Sequence, residues 1–185
     1  MQRRLTRRRL LSVATAVGGL TAGCVSESAV QEGLSRVGGT PSPTPRPKVT
    51  NDPAELVLNA TSLPADSEYE FGNPTTQKKQ SGVSVNYEVT KNGSYAHQIT
   101  IGLTRRMTID GAVFDHDKLV EIYTSEHDAT VEPLSFGDTG SLVSFPGERH
   151  AIVTYRNVVV HVMSYGGPAD QAVAIARRQI SELQE

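Results

Sequence analysis

The sequence predicts an α+β domain: an antiparallel sheet of about five to six strands with helices packed on one face, preceded by a signal peptide and a disordered linker. Three observations predict it. Apolar residues alternate on both sides of Asn92-Gly93, which marks an antiparallel hairpin with a primed turn. A second alternating pair, "HAIVTY" and "VVVHVMSY", flanks Arg156-Asn157. Two segments with helical spacing, one central and one C-terminal, separate and close these strands.

Each element has a local cause. In "DPAELVLNATSLP", Asp52 is a candidate cap and Pro53 sits at the first helical position, so a short helix ends near Asn59. "SEYEF" reads as a short strand. Val83, Val85, Tyr87 and Val89 form one arm of the first hairpin; Tyr95, His97, Ile99, Ile101 and Leu103 form the other. "RRMTI" either extends that strand or starts another, ending at Asp110-Gly111. Leu119, Val120 and Tyr123 place a helix over about 115–126. "ATVEPL", "GSLVSF" and the second hairpin supply the remaining strands. Ala172, Val173, Ala176, Ile180 and Leu183 define a closing helix with Pro168 near its start.

Composition bounds the chemistry. The chain has 185 residues, no Trp, four Phe and one Cys, so its core is modest and an internal disulfide is excluded. The formal charge of −2 hides an asymmetry. Residues 1–23 carry five Arg and no acid; the rest carries 13 basic and 20 acidic residues, a net of −7. An acidic body argues against nucleic acid as a partner, because phosphate contacts need a basic surface. It suits high salt, where self-repulsion is screened.

The first 23 residues read as a signal peptide: an Arg cluster, a short weakly apolar stretch, then small residues before Cys24. "TRRRLL", with Arg7 and Arg8, resembles the twin-arginine export signal of bacteria and archaea. Ala22-Gly23-Cys24 resembles the lipobox of exported lipoproteins, although Thr21 stands where that family usually has Leu. The resemblance implies cleavage before Cys24 and a lipid on its thiol, hence anchoring to the outer face of the cell membrane. Residues 24–52 then form a tether. "TPSPTPRP" favours extended backbone of about 3.1 Å per residue, and the Gly/Ser part coils. Residues 53–185 form the globular domain.

"AELVLNATSLP", "FGDTGSLVSF" and "VTYRNVVVHVMSY" before an Ala/Arg-rich helix resemble the extracytoplasmic sensor-like lipoprotein domains of actinobacteria and archaea, which include receptor-kinase extracellular domains. The resemblance implies a non-catalytic domain that binds a small ligand or an envelope protein. That family's frequent disulfide cysteines are absent here.

Candidate sites are few. Of the five histidines, His116 stands in "DHD" (Asp115-His116-Asp117), but adjacent residues do not share a helix face and no HExxH supports a metal. His97 and His161 fall in strands and read as structural; His127 and His150 have no motif. Asp138-Thr139-Gly140 reads as a turn, and the glycines before Pro168 lack a phosphate-binding pattern. No catalytic residue, metal or cofactor is expected. Asn59 and Asn92 lie in sequons for N-glycosylation. Two other readings compete: a surface metal-assisted hydrolase using Asp115, His116 or Asp117, and a structural envelope lipoprotein without a ligand.

Overall fold

The computed structural model describes residues 46–64 and 68–185. Arg7, Arg8, Cys24 and the tether up to residue 45 lie outside the described residues. In chain order come α1 (Pro53–Leu56), a 3-10 turn (Ala60–Ser62), β1 (Tyr69–Phe71), β2 (Thr75–Lys79), β3 (Gly82–Lys91) and β4 (Ser94–Arg105). Then follow α2 (Ile109–Glu126), β5 (Thr130–Pro133), β6 (Thr139–Phe145), β7 (Glu148–Tyr155), β8 (Val158–Tyr165) and α3 (Gln171–Glu182).

All strands join one antiparallel sheet in the order β1-β3-β4-β8-β7-β6-β5, with β2 also paired to β3. The class is α+β as expected. The sheet has eight strands, more than the five to six expected. The strand missed outright is β2, "TTQKK", which is exposed along its whole length. A strand with no buried face leaves no alternation to read.

Both hairpins form where expected. Asn92 and Gly93 take φ of 51° and 74°, the left-handed pair that matches strand twist. At the second turn Arg156 takes φ 53°, and its N–H donates to Asp138 Oδ2 at 2.5 Å. Asn157 is buried there and ties back to the incoming chain. Its Oδ1 accepts from Val49 N–H at 2.7 Å, and its Nδ2 donates to the Arg106 and Val49 carbonyls. Residues 49–51, which the sequence assigns to the tether, are therefore hydrogen-bonded to the domain, Thr50 and Asn51 through Arg105.

The helices lie on both faces of the sheet, which corrects the one-face expectation. On one face Val83, Val85, Tyr87, Val89, Ile99, Ile101, Leu103, Ala151, Val153, Val160 and Val162 pack with Ala172, Ile175, Ala176 and Ile180 of α3. On the other, Val143, Ile152 and Val159 pack under Ala112, Leu119, Val120 and Tyr123 of α2. Topology explains the split. The chain leaves β4 and re-enters at β5 on the far edge, so α2 must cross the strands between. The α3 face was already legible as aliphatic. The α2 face begins at Ile109, not near 115, because Thr108 caps the helix by accepting from Gly111 N–H at 3.0 Å. Asp110-Gly111 is thus the first turn of the helix. A Cβ on Gly111 would lie 3.0 Å from the capping Thr108 oxygen, so glycine permits the close approach.

Gln179, fully buried on α3, fixes the N-terminal segment. Its Oε1 accepts from Leu58 N–H at 2.9 Å and its Nε2 donates to the Leu56 carbonyl at 2.7 Å. Tyr87 Oη–H donates to the Leu58 carbonyl at 2.7 Å. Three orphan backbone groups of a short irregular segment are satisfied in this way.

Candidate functional groove

Helix α2 covers β6, β7 and β8 and leaves the β3–β4 half of its face open. The open half is built from small and polar side chains. Thr100 Oγ1–H donates to Asn86 Oδ1 across the strands at 2.6 Å. Register places Ser84, Gly102 and His161 side by side across β3, β4 and β8. Where the edge of α2 meets this surface a groove of about 200 Å3 opens. Its floor includes Ser84, Gly102, Thr104, His161 and Met163, and α2 contributes Asp115 and Leu119. Gly102 leaves the floor low. A Cβ there would meet nothing closer than the His161 carbonyl oxygen at 3.6 Å.

A chain of titratable groups runs inward from the groove. His150, 1% exposed, donates from Nε2 to Glu148 Oε2 at 3.1 Å. Its Nδ1 lies 3.2 Å from His161 Nε2. A carboxylate oxygen accepts, so the His150 proton sits on Nε2, Nδ1 is the acceptor and His161 Nε2–H donates to it. Aromatic rings wall this pair. Tyr123 lies 4.2 Å from His150 and Phe145 lies 5.1 Å away, centroid to centroid, and His127 stacks on Phe145 at 4.4 Å. Burial first, and then His150 itself, push the His161 imidazole from 6.5 down to about 3. Burial also lowers His150, against the raising effect of Glu148. Both rings are neutral at pH 7. Burial and Glu148 raise the Tyr123 and Tyr165 hydroxyls.

The other sequence-singled residues do not converge. Asp115 is ion-paired with Arg106. His116 turns into the α2–sheet interface, with Nδ1 2.9 Å from exposed Asp117. The three cannot share an ion. Among the described residues no group of three His, Cys, Asp or Glu side chains is placed to hold a metal. His97 is buried on the α3 face, with Nε2 2.6 Å from Gln171 Oε1 and its ring edge-on to Tyr69. Asp138 closes the loop before β6 and pairs with Arg46. Asn59 and Asn92 are exposed and lie on separate turns. Asn59 Oδ1 caps the 3-10 turn by accepting from Ser62 N–H at 3.0 Å. Among the described residues no Ser or Thr hydroxyl is hydrogen-bonded to a histidine, so no activated nucleophile of that kind is assembled.

No motif in the sequence joins His150 to His161. The signal was the second hairpin. A two-residue turn at 156–157 pairs Ile152 with His161 and His150 with Met163, which puts both histidines on one face as diagonal neighbours.

Taken together, the fold and groove define an antiparallel α+β domain with one face sealed by a helix and the other half open. The chain matches no family model and no curated protein by sequence. By structure it is similar to the extracellular domain of PknH from Mycobacterium tuberculosis, with a TM-score of 0.53 and 15% identity. The match covers 75% of this chain and 98% of that domain. At that identity the likeness shows a shared fold.

Proposed function

We propose that this chain is an exported, lipid-anchored protein whose domain binds a small polar ligand in the groove between α2 and the open half of the sheet, without catalysis. The observation that carries the reading is the groove: hydroxyl-bearing and glycine positions on a sheet face that a helix only partly covers. Concave, partly apolar clefts with a few polar groups are where small molecules bind. The fold shared with a kinase extracellular domain supports an extracytoplasmic setting, and the Arg7-Arg8 and Cys24 signals support export and anchoring. The acidic body fits a partner that is not nucleic acid.

The groove is tested by plugging it. Gly102→Val adds a side chain to the floor, its Cβ in ordinary contact with the His161 carbonyl oxygen at 3.6 Å. In a thermal-shift screen of sugars, amino acids and organic acids, a stabilising compound should act on the native chain and lose its effect on Gly102→Val. A compound that stabilises both equally places binding elsewhere and overturns the assignment. Anchoring is tested by membrane fractionation: Cys24→Ser should leave the membrane fraction or stay unprocessed.

A further inference from the structure

We propose that His150, His161 and Met163 form a binding site for monovalent copper at the inner end of the groove. The inference goes beyond the ligand reading and does not rest on it.

The separation is that of a chelating pair. His150 Nδ1 and His161 Nε2 are 3.2 Å apart. Two imidazole donors about 2.0–2.1 Å from one ion stand about 3.3–3.6 Å apart as the angle between them runs from tetrahedral to trigonal. The Glu148 carboxylate on His150 Nε2, at 3.1 Å, is the outer partner that metal-binding histidines use to fix their tautomer. Met163 pairs directly with His150 across β7 and β8 and lies two residues from His161 on the same strand face. It lines the groove with His161, and its sulfur accepts from Tyr165 Oη–H at 3.3 Å.

The donor set selects the ion. Among the described residues no third His, Cys, Asp or Glu is placed to join the pair as a ligand, so a divalent ion that prefers four nitrogen, oxygen or thiolate ligands is poorly served. A thioether is a soft ligand and favours Cu(I). Tyr123 and Phe145 wall His150, which limits water on that side and suits a low charge. Binding needs no electron transfer. Cu(I) takes the place of the proton shared by the two nitrogens, and that proton moves to His161 Nδ1.

The test uses the full-length chain carrying Cys24→Ser, so that the thiol does not compete, titrated with Cu(I) under anaerobic ascorbate against bicinchoninate. One equivalent should be withheld from the competitor. His161→Gln and Met163→Leu should each weaken binding by about 10-fold or more, and Glu148→Gln by about 10- to 100-fold. Met163→Leu conserves volume and should melt near the parent, so its loss of copper reports ligation and not unfolding. X-ray absorption should show one sulfur at the copper. The proposal is overturned if the parent chain gives up its copper to the competitor. It is equally overturned if Met163→Leu binds as tightly as the parent, or if Zn(II) displaces Cu(I).

Discussion

The two faces of the sheet are made from the same strands and differ in kind. Residues alternate along β7 and β8, so Ala151, Val153, Val160 and Val162 go to α3 while His150, Ile152 and His161 go to α2. The α3 face is closed, continuous and mainly apolar, with His97, Gln179 and Ser164 as its buried polar members. The α2 face mixes a small apolar cluster with imidazoles, tyrosines, an orphaned nitrogen and an open polar half. A fold needs one well-packed face to be stable; the second is then free to carry polar groups at some loss of stability.

The sharpest way to break this comparison is to truncate one residue on each side of a single strand. Ile101, fully buried on the α3 face, should lose about 2–5 kcal/mol on Ile101→Ala, from lost burial and the cavity left behind. Thr104, its near neighbour on the open face and a groove-lining residue, should lose less than about 1 kcal/mol on Thr104→Ala. Urea denaturation midpoints of the two variants measure the difference. Equal losses would mean that the open half is packed as tightly as the core.

This asymmetry also sets what was legible in the sequence. The α3 face was readable because strong alternation and a clean helical stripe report burial directly. Its exceptions were Ile175 and Gln179, buried beside the expected stripe because α3 rotates toward the N-terminal segment it holds. The α2 face was not readable as such. Alternating strands with apolar residues on both parities imply cover on both sides, yet the weakly amphipathic α2 gave little sign of which face it takes. The crossover from β4 to β5 decides that, and pairing order is not a local property. The groove was invisible for the same reason, since Ser84, Gly102 and His161 come from three strands and meet only through register. The hairpin turns, by contrast, were set by two residues each and were fully legible.

A second prediction sharpens the contrast through pH. His150 and His161 are held neutral in the fold, with pKa values lowered below 6.5. Above pH 6.5 both are neutral folded and unfolded, so they add no pH dependence. As pH falls below 6.5 the unfolded chain binds protons that the fold excludes, and stability drops, by up to about 1.4 kcal/mol per pH unit per histidine. Metal-free protein should therefore show a falling midpoint between pH 6.5 and 5, before carboxylates titrate. His161→Gln should flatten the slope. A flat profile in the parent chain would mean that the α2 face admits a charged imidazole.

The smallest expected effect is the most diagnostic of that face. His116, 4% exposed, sits on α2 among Ala112, Leu119 and the strands beneath. Its Nδ1 reaches Asp117, but Nε2 is buried with no partner. A buried polar atom without a hydrogen bond costs about 1–3 kcal/mol, and the Asp117 contact is exposed at one end and recovers little of it. An apolar side chain of similar reach removes the orphan and keeps the packing. His116→Leu should therefore stabilise the protein by about 1 kcal/mol, read as a raised urea midpoint with unchanged slope. The sign is the point: on the α3 face truncating a packed aliphatic side chain such as Ile101 loses stability, so a gain here marks a position where packing was not what set the residue. A loss on His116→Leu would instead mean that Nε2 has a partner such as a buried water.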